Sequence, residues 1–310
     1  MTVLTKIIEG IYLLKVQYPG GMGATNCYLV EGEQGYTIID TGSYSKQAKS
    51  LWQQVLDKGV AIEKVVLTHV HQDHIGLAKW LQKKGIPIIV SKIGLGEMEK
   101  HRDPDFENRM AQLLRVHGIA NIPEPLDRSD IYQFEPDVLF NMDERIKIGN
   151  DWYEPIWTPG HSYDHFCFYN PEKRFMFAGD HVLQEFSPVI GLWEAEEYNA
   201  LQYYLQSIDH ILQYPTDFAL TGHGEPIEHF HDRVLEIKEG HEKRLEQIYQ
   251  LVKEEAKTAL QITYDVYGQL KKNFIASPFM ASLTRLIYLE EQGKVRRYGQ
   301  NGVYTFKAVN

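Results

Sequence analysis

The pattern of hydrophobic and polar positions divides the chain into a strand-rich body and a mainly helical tail. Apolar or alternating runs at 7–16, 26–30 and 36–40 predict three strands, and a helical stretch follows at 46–58. Further apolar runs predict strands at 65–68, 86–90, 145–148, 153–157, 165–169, 175–178 and 218–220. Because strands alternate with helices in this way, the body is predicted to have a layered α/β architecture.

A polar segment at 92–130 interrupts the series of strands. Its apolar residues Met110, Leu113 and Leu114 recur at helical spacing, so we predict a helical insertion between sheet elements. Two arrangements remain open for this insertion. It forms a lid or wall over a site, or it is a pair of surface helices that only covers the sheet.

The tail begins with a long charged helix, predicted from residue 232 to about residue 257. Two shorter helices follow at 262–270 and 279–292, and a β-hairpin has Asn301 and Gly302 at its turn. The order helix, helix, hairpin is typical of a winged helix. We therefore predict two domains, a body at 1–235 and a winged-helix-like domain at 236–310.

The composition is that of an ordinary globular protein. Of the 310 residues, 43% are hydrophobic and 24% are charged. No stretch approaches the roughly 18 apolar residues of a membrane span, and polar residues interrupt the first apolar run where a secretory signal needs continuity. Cys27 and Cys167 are too few for a disulfide scaffold and alternate with strand residues as small core side chains do. We therefore expect a cytoplasmic protein without membrane association.

Charge is distributed unevenly between body and tail. The net charge is −10, but residues 241–310 carry +4, so the rest of the chain carries −14. The acidic body argues against general nucleic-acid binding. In the tail, Lys294, Arg296, Arg297 and Lys307 form either a basic wing for a phosphate backbone or part of a domain that packs against the body.

The clearest chemical signal follows the predicted strand at 65–68. There His69, His71, Asp73 and His74 stand within six positions in a His-x-His-x-Asp-His pattern. A loop that leaves a strand can turn several side chains toward one point. Imidazole and carboxylate groups are ligands that suit Zn²⁺. A single histidine after a strand is more often structural, but four ligand-type residues together predict a metal site.

Three more ligand-type residues follow later predicted strands. His161, Asp180 and His223 each come within four positions of a strand end and stand beside glycine, which allows a sharp turn. With the first motif, the chain supplies five histidines and two aspartates. That number of ligands is enough for two metal ions.

The order of these motifs resembles the metallo-β-lactamase superfamily over nearly the whole body. The resemblance implies an αββα sandwich with its site at one edge of the paired sheets. Asp40 matches the family's strand-ending aspartate, which supports a ligating imidazole from behind. The resemblance also fills seven ligand positions in order: one Zn²⁺ ion at His69, His71 and His161, and a second at Asp73, His74 and His223, with Asp180 as the bridge.

The resemblance further implies a mechanism with two metal ions. Metal ions about 3.5 Å apart acidify a bridging water, so that hydroxide attacks a carbonyl or phosphoryl centre near neutral pH. Asp73 is the predicted catalytic residue because its carboxylate can bind metal and also exchange a proton. We expect zinc, although iron and manganese also bind such sites. His165 is expected either to point into the cleft or to support His161.

The remaining histidines have no predicted chemistry. His181, next to Asp180, is expected to face away from the site or to lie just outside the ligands. Six others stand in polar or helical stretches and are predicted to lie on the surface: His101, His117, His210, His229, His231 and His241.

The predicted function is a dinuclear metal-dependent hydrolase with a small ester, thioester or lactone as substrate. The tail and the Thr-Pro-Gly-His-x-x-Asp-His motif at 158–165 look like the lactamase-beta-two-like branch, some members of which cleave single-stranded RNA. Acidic residues in the 92–130 insertion favour a small molecule over a polyanion. Two alternatives remain: a phosphodiesterase or endoribonuclease acting on single-stranded RNA, and a non-catalytic nucleic-acid-binding or regulatory module.

Overall fold

Two β-sheets packed face to face form the centre of the protein. The computed structural model describes residues 3–18, 23–119, 129–271 and 274–309. The first sheet has the strand order β1 to β7, with bounds Thr5–Ile8, Ile11–Gln17, Ala24–Gly32, Gly35–Ile39, Ile62–Val66, Ile88–Ser91 and Val138–Phe140. The second sheet contains β8 to β12 in the order β12-β11-β10-β9-β8, with bounds in chain order Ile146–Ile148, Asp151–Trp157, Phe166–Asn170, Phe175–Gly179 and Phe218–Thr221.

Helices cover the outer faces of both sheets. In the first of them, Ser45 caps the N-terminus by accepting the Ala48 N–H at 3.0 Å, and Trp52 and Val55 are buried against the sheet. None of the helices in the described ranges is long and apolar enough to cross a membrane. From α1 to α10 the bounds are Lys46–Asp57, Gln72–Ile75, Ala78–Gln82, Lys92–Arg102, Phe106–Val116, Ser129–Tyr132, Ala200–Ile211, Phe230–Glu254, Ala259–Tyr267 and Ala276–Glu291.

Three groups of buried side chains hold these layers together. Between the sheets, residues from both sides such as Tyr28, Phe168 and Leu220 pack against each other. A second group lies between the first sheet and the helices that cover it. A third lies between the second sheet and helices α7 to α10. Cys27 and Cys167 belong to these outer groups and are fully buried, as predicted. A core between two sheets with helices outside confirms the predicted αββα sandwich.

The C-terminal helices pack directly against the body. Ten of the sixteen residues of α10 are buried, and its Phe279 and Leu283 share a core with Ile208 of α7. α8 runs without a break through the predicted domain boundary between residues 235 and 236. β13 (Val295–Gln300) and β14 (Val303–Ala308) pair antiparallel as the predicted hairpin. The winged-helix character of this unit and its division from the body stay predictions.

The insertion is helical, and its described part packs against the protein at both ends. α4 lies against β6 and α6, with Met98 in the core beside the first sheet. α5 lies against β14, and Leu113 joins the core shared with the tail. Glu97 is buried and pairs with Lys100, so the acidic residues of the insertion do not all face solvent. Residues 120–128 of the insertion lie outside the described ranges.

Two details of the strands differ from the prediction. The first predicted strand is interrupted at Gly10, where a φ of 73° turns the chain between β1 and β2. β7 is missing from the prediction because its three residues form too short an apolar run to stand out from the adjacent loop. β7 completes the edge of the first sheet by parallel pairing with β6.

Candidate metal centre

Four strand ends at one edge of the sandwich carry the predicted chemical groups. β5 leads into α2, and this segment contains the His-x-His-x-Asp-His motif. His161, Asp180 and His223 lie in the loops that follow β9, β11 and β12. A backbone bridge between Thr25 of β3 and His223 joins the two sheets at this edge. Residues from distant parts of the chain therefore meet at one place.

Asp180 lies in the middle of this meeting point. Its Oδ2 atom is 3.4 Å from Nε2 of His161, 3.4 Å from Nε2 of His74 and 3.1 Å from Nε2 of His223. The ligand-type atoms form three overlapping groups, with the atoms of each group within 4.8 Å of one another: His69, His71 and His161; His69, His74 and Asp180; Asp73, His74 and His223. The two predicted ligand sets are thus assembled on either side of Asp180.

Four of the five histidines are oriented through the nitrogen that faces away from the centre. Because Nδ1 is held in this way, Nε2 of each ring is directed toward the shared space. His71 differs from the others, since its Nδ1 lies 3.0 Å from Nε2 of His161. The four Nδ1 contacts are His69 with Thr68 Oγ1 at 2.9 Å, His74 with Asp40 Oδ2 at 2.8 Å, His161 with the Val189 carbonyl at 2.9 Å, and His223 with the Ala24 carbonyl at 2.8 Å.

Several buried atoms at the centre lack a hydrogen-bond partner among the described residues. They include Nε2 of His69 and His74 and Oδ1 of Asp180. Buried polar atoms are rarely left without a partner, so the arrangement requires something that the protein itself does not supply. Imidazole nitrogen and carboxylate oxygen together suit Zn²⁺ and related transition metals. The residues present therefore fit a metal ion.

The three histidines on one side of Asp180 are neutral near pH 7. Burial lowers the pKa of His69 and His71 well below the ordinary histidine value, and neighbouring histidines lower it further. Burial also lowers the pKa of His161. A neutral imidazole keeps the lone pair that a metal ion needs, so this set is prepared for binding.

The two histidines on the other side lie in strongly negative surroundings. Burial alone would lower the pKa of His223, but Asp180 and Asp73 outweigh it and raise that pKa to about 10. Burial also acts to lower the pKa of His74, but Asp180 and Asp40 outweigh it. They raise that pKa well above the usual histidine value. Carboxylates that hold protons on two histidines in this way attract positive charge, which a divalent cation would supply.

Asp40 lies behind the first motif, in the position that the sequence suggested. The side chain is 1% exposed, and Oδ1 accepts the Thr68 N–H at 2.9 Å. Oδ2 accepts the Thr68 hydroxyl and lies 2.8 Å from His74 Nδ1. The backbone of Asp40 has a φ of 58°, a left-handed conformation that aspartate tolerates better than most residues. Asp40 therefore fixes both the start of the motif and the ring of His74.

His165 is fully buried and does not reach the cleft. Its Nδ1 lies 2.8 Å from Thr158 Oγ1, and its Nε2 accepts the backbone N–H of Asp180 at 3.0 Å. Of the two expectations for this residue, a side chain in the cleft does not hold. The support it provides goes to Asp180 rather than to His161. Gly179 permits this contact, because a Cβ atom there would lie 2.5 Å from His165 Nε2.

Two histidines predicted on the surface are buried, and that prediction is wrong for them. His117 is fully buried and its Nε2 lies 3.0 Å from Glu197 Oε2. His241 is 1% exposed, and its Nδ1 accepts a hydrogen bond from Nη2 of Arg285 at 3.1 Å. Their partners come from other elements, which the local pattern does not show. Of the others, His210 and His229 are exposed, His101 and His231 are half-buried, and His181 is buried near Tyr204.

A buried acidic cluster beside the centre was not predicted. Asp164, Glu97 and Glu194 are 1%, 4% and 3% exposed. Asp164 accepts the backbone N–H of Val70, inside the first motif, at 3.0 Å. The one signal available was that Asp164 follows His161 by three residues, within the motif at 158–165. Glu97 and Glu194 have no such signal because they come from the insertion and from a loop before α7.

The acidic cluster predicts a loss of stability at higher pH. Burial raises the pKa of Glu194 from 4.5 to about 8, and Glu97 and Asp164 add to the rise. Between these pH values the folded protein keeps a proton that the unfolded chain releases, so stability falls by at most about 1.4 kcal/mol per pH unit. Glu194→Gln is expected to flatten this slope in urea unfolding of the metal-free protein at pH 5.5, 6.5 and 7.5. Glu236→Gln, at an exposed glutamate of α8 that pairs with Arg233, should keep the wild-type slope.

Known proteins are similar to this chain in sequence and in architecture. The profile of the Metallo-beta-lactamase superfamily matches residues 20–239. A Bacillus subtilis protein named Probable metallo-hydrolase YqjP is 26% identical over 318 residues, covering 97% of this chain and 98% of that protein. The Aspergillus fumigatus protein named Atrochrysone carboxyl ACP thioesterase is 27% identical over 240 residues, covering 74% of this chain and 61% of that protein.

A solved structure is similar over almost the whole chain, including the C-terminal helices. It is a metallo-beta-lactamase family protein from Thermus thermophilus, with a TM-score of 0.85 and 26% identity. The match covers 97% of this chain and 99% of that one. The arrangement of sandwich and tail therefore occurs in a second protein of nearly the same length.

Proposed function

The chain belongs to the metallo-β-lactamase superfamily, and on the geometry of its centre we propose that it is a dinuclear metal-dependent hydrolase of small esters, thioesters or lactones. One observation carries the proposal: ligand-type atoms from four strand ends surround Asp180, and several of them have no partner within the described residues. His69, His71 and His161 would hold one ion, and Asp73, His74 and His223 the other, with Asp180 between them. We favour zinc, with iron or manganese as the other ions that suit these ligands.

Asp73 is the residue that would move the proton. When bound, two metal ions acidify a water molecule and stabilise negative charge on the carbonyl oxygen of the substrate. The side chain of Asp73 is 21% exposed, against 6% for Asp180, so it reaches the cleft. Although burial works in the opposite direction, His74 and His223 lower the pKa of Asp73, which is therefore ionised. Its carboxylate can accept the proton from water and return it to the leaving alkoxide or thiolate.

An aromatic side chain and a negative rim support a small organic substrate. The Trp193 ring is half-buried and its centroid lies 6.5 Å from that of His71, which gives the cleft an apolar wall. The exposed Glu185 carboxylate lies against Gly224, next to His223. Negative charge at the rim repels a polyanion. The name of the Aspergillus fumigatus relative, a thioesterase, supports a thioester among the three substrate classes.

The tail gives little support to the two alternatives that involve nucleic acid. Of the four basic residues considered for a nucleic-acid wing, Arg297 pairs with Glu197 and Glu290. Lys307 donates to the carbonyls of Lys253 and Glu254 at the end of α8. α10, the helix that would enter a DNA groove in a winged helix, is largely buried among α7, α8 and α9. We therefore rank RNA cleavage and non-catalytic nucleic-acid binding below hydrolysis of a small molecule.

A substrate panel on metal-loaded protein tests the proposal. We expect turnover of a thioester, an aryl ester or a lactone, with kcat/KM for bis-p-nitrophenyl phosphate and a single-stranded oligoribonucleotide at least about tenfold lower. Asp73→Asn should reduce the preferred activity by more than about 100-fold, because it removes the group that moves the proton and weakens one ligand of the second ion. Asp57→Asn, an exposed change on α1, should leave it unaltered. Cleavage of the oligoribonucleotide alone, or fewer than two bound metal ions per chain, would contradict the proposal.

A further inference from the structure

Asp164 lies outside both predicted ligand sets, yet its carboxylate touches the segments that carry three of the ligands. The side chain is 1% exposed and lies in the loop between β9 and β10. We propose that Asp164 is a positioning residue that fixes the His69–His71 segment relative to His161 and so sets the metal affinity of this histidine group. The inference rests on the proposed function, because it requires that these histidines bind metal.

The first contact fixes the segment between two ligands. Oδ2 of Asp164 accepts the backbone N–H of Val70 at 3.0 Å. Val70 stands between His69 and His71, and its own side chain is buried in the core on the outer side of the first sheet. With the side chain packed and the N–H bonded, the backbone at Val70 has little freedom to rotate. Both flanking histidines therefore keep their directions.

The second contact fixes the third ligand. Oδ1 of Asp164 accepts the hydroxyl of Ser162, the residue that follows His161. One carboxylate thus holds a segment that follows β5 and a segment that follows β9, which belong to different sheets. The gap between these segments at the centre is the 3.0 Å separation of His71 Nδ1 and His161 Nε2. Two nitrogens bound tetrahedrally to one Zn²⁺ ion would lie about 3.3 Å apart, so small shifts in this gap matter.

The surroundings of Asp164 keep water away and limit its movement. Gly94, in the first turn of α4, packs so closely that a Cβ atom there would lie 3.0 Å from Oδ2. Glu97 and Glu194 lie in the same buried cluster and disfavour a further negative charge. Burial raises the pKa of Asp164 to about 7, while the Ser162 hydroxyl acts in the opposite direction. Burying a carboxylate in this setting lowers the folding stability of the protein. Both hydrogen bonds that Asp164 accepts come from segments that carry candidate metal ligands.

Metal titration of the full-length protein tests the inference without measuring activity. Four metal-free proteins are titrated with Co²⁺ in the presence of a competing chelator: wild type, Asp164→Ala, Asp164→Asn and Ser162→Ala. Binding is followed by the visible absorption of the bound Co²⁺. For Asp164→Ala we expect affinity at one of two sites to fall by about 10- to 100-fold, as other outer contacts to ligands do, while the second site is unchanged. Asp164→Asn and Ser162→Ala should lose less, because asparagine can still accept the Val70 N–H and Ser162→Ala leaves the contact between Asp164 and Val70 in place. These milder variants also cover the case in which Asp164→Ala does not fold.

The matched control is Asn170→Ala. Asn170 is 2% exposed at the far end of β10, and its Oδ1 accepts the Lys173 N–H at 2.9 Å, much as Asp164 accepts that of Val70. This variant should lose folding stability but keep both Co²⁺ affinities. Two outcomes would overturn this inference while leaving the proposed function intact. One is an equal loss of Co²⁺ affinity in Asn170→Ala and Asp164→Ala. The other is wild-type affinity in all Asp164 and Ser162 variants. A wild-type protein that binds no Co²⁺ would overturn the proposed function and this inference together.

Discussion

Replacing Asp180 with asparagine is expected to lower kcat/KM by more than about 1,000-fold, well beyond the 10- to 100-fold that loss of an outer contact costs. Oδ2 of Asp180 lies within 3.4 Å of Nε2 of His161, His74 and His223. Asparagine keeps the shape but removes the negative charge that would hold two cations together. We therefore also expect metal content to fall from two ions to about one per chain, as measured on dialysed protein.

The control for this prediction is Asp217→Asn. Asp217 is an exposed aspartate that pairs with Arg174 just before β12, at the end of the strand away from His223. This variant should keep both metal ions and full activity. An Asp180→Asn protein that binds two ions and retains activity within tenfold of wild type would show that Asp180 does not bridge the sites.

Phe279→Ala is expected to lower the free energy of unfolding by about 3–5 kcal/mol, the usual cost of removing a buried phenylalanine. Phe279 is fully buried on α10, in a core that also includes Ile208 of the body. All five tryptophans precede α8 in the chain, so their fluorescence reports mainly on the body, with Trp193 packed against the core that the body shares with α10. If tail and body unfold together, the tryptophan transition in urea shifts by the full amount and coincides with the loss of helical circular dichroism.

Phe274→Ala provides the comparison within the same tail. Phe274 is 51% exposed, so its replacement should change stability by less than about 0.5 kcal/mol. Two separate transitions, with an unchanged tryptophan signal in Phe279→Ala, would show instead that the tail is an independent domain, as a boundary at residue 236 implies.

The candidate ligand residues could be picked out from the sequence because their signal is local. Each ligand-type residue follows an apolar strand by a few positions, and β11 and β12 are parallel, so their carboxyl ends meet at one edge. The same holds for β5 between its parallel neighbours β4 and β6. Strand direction therefore brings Asp180 close to His223 within the second sheet, whereas the meeting of both sheets' ligand-type residues at one edge is what the family resemblance implies.

The buried polar contacts could not be predicted in this way because their partners are far apart in the chain. His117 pairs with Glu197, which is 80 residues away, and Arg285 reaches back 44 residues to His241. Asp164 contacts Val70 across 94 residues. Polar residues on helices are ordinarily exposed, so without knowledge of packing the surface is the better expectation for such histidines. Only the packing of insertion, loop and tail shows otherwise.

The backbone bridge between Thr25 and His223 holds the second sheet against the first at the edge where the candidate ligands lie. Metal binding at this edge is therefore expected to affect the lifetime of the folded state. A metal ion held by Asp73 and His74 beside the first sheet, and by His223 from the second, would cross-link the two halves of the sandwich. Because His223 lies beside Asp73 and His74 only when the two sheets are docked, such a cross-link would form late in folding. Bound metal is then expected to slow unfolding far more than it accelerates refolding, so the edge that carries the chemistry also governs how long the sandwich stays closed.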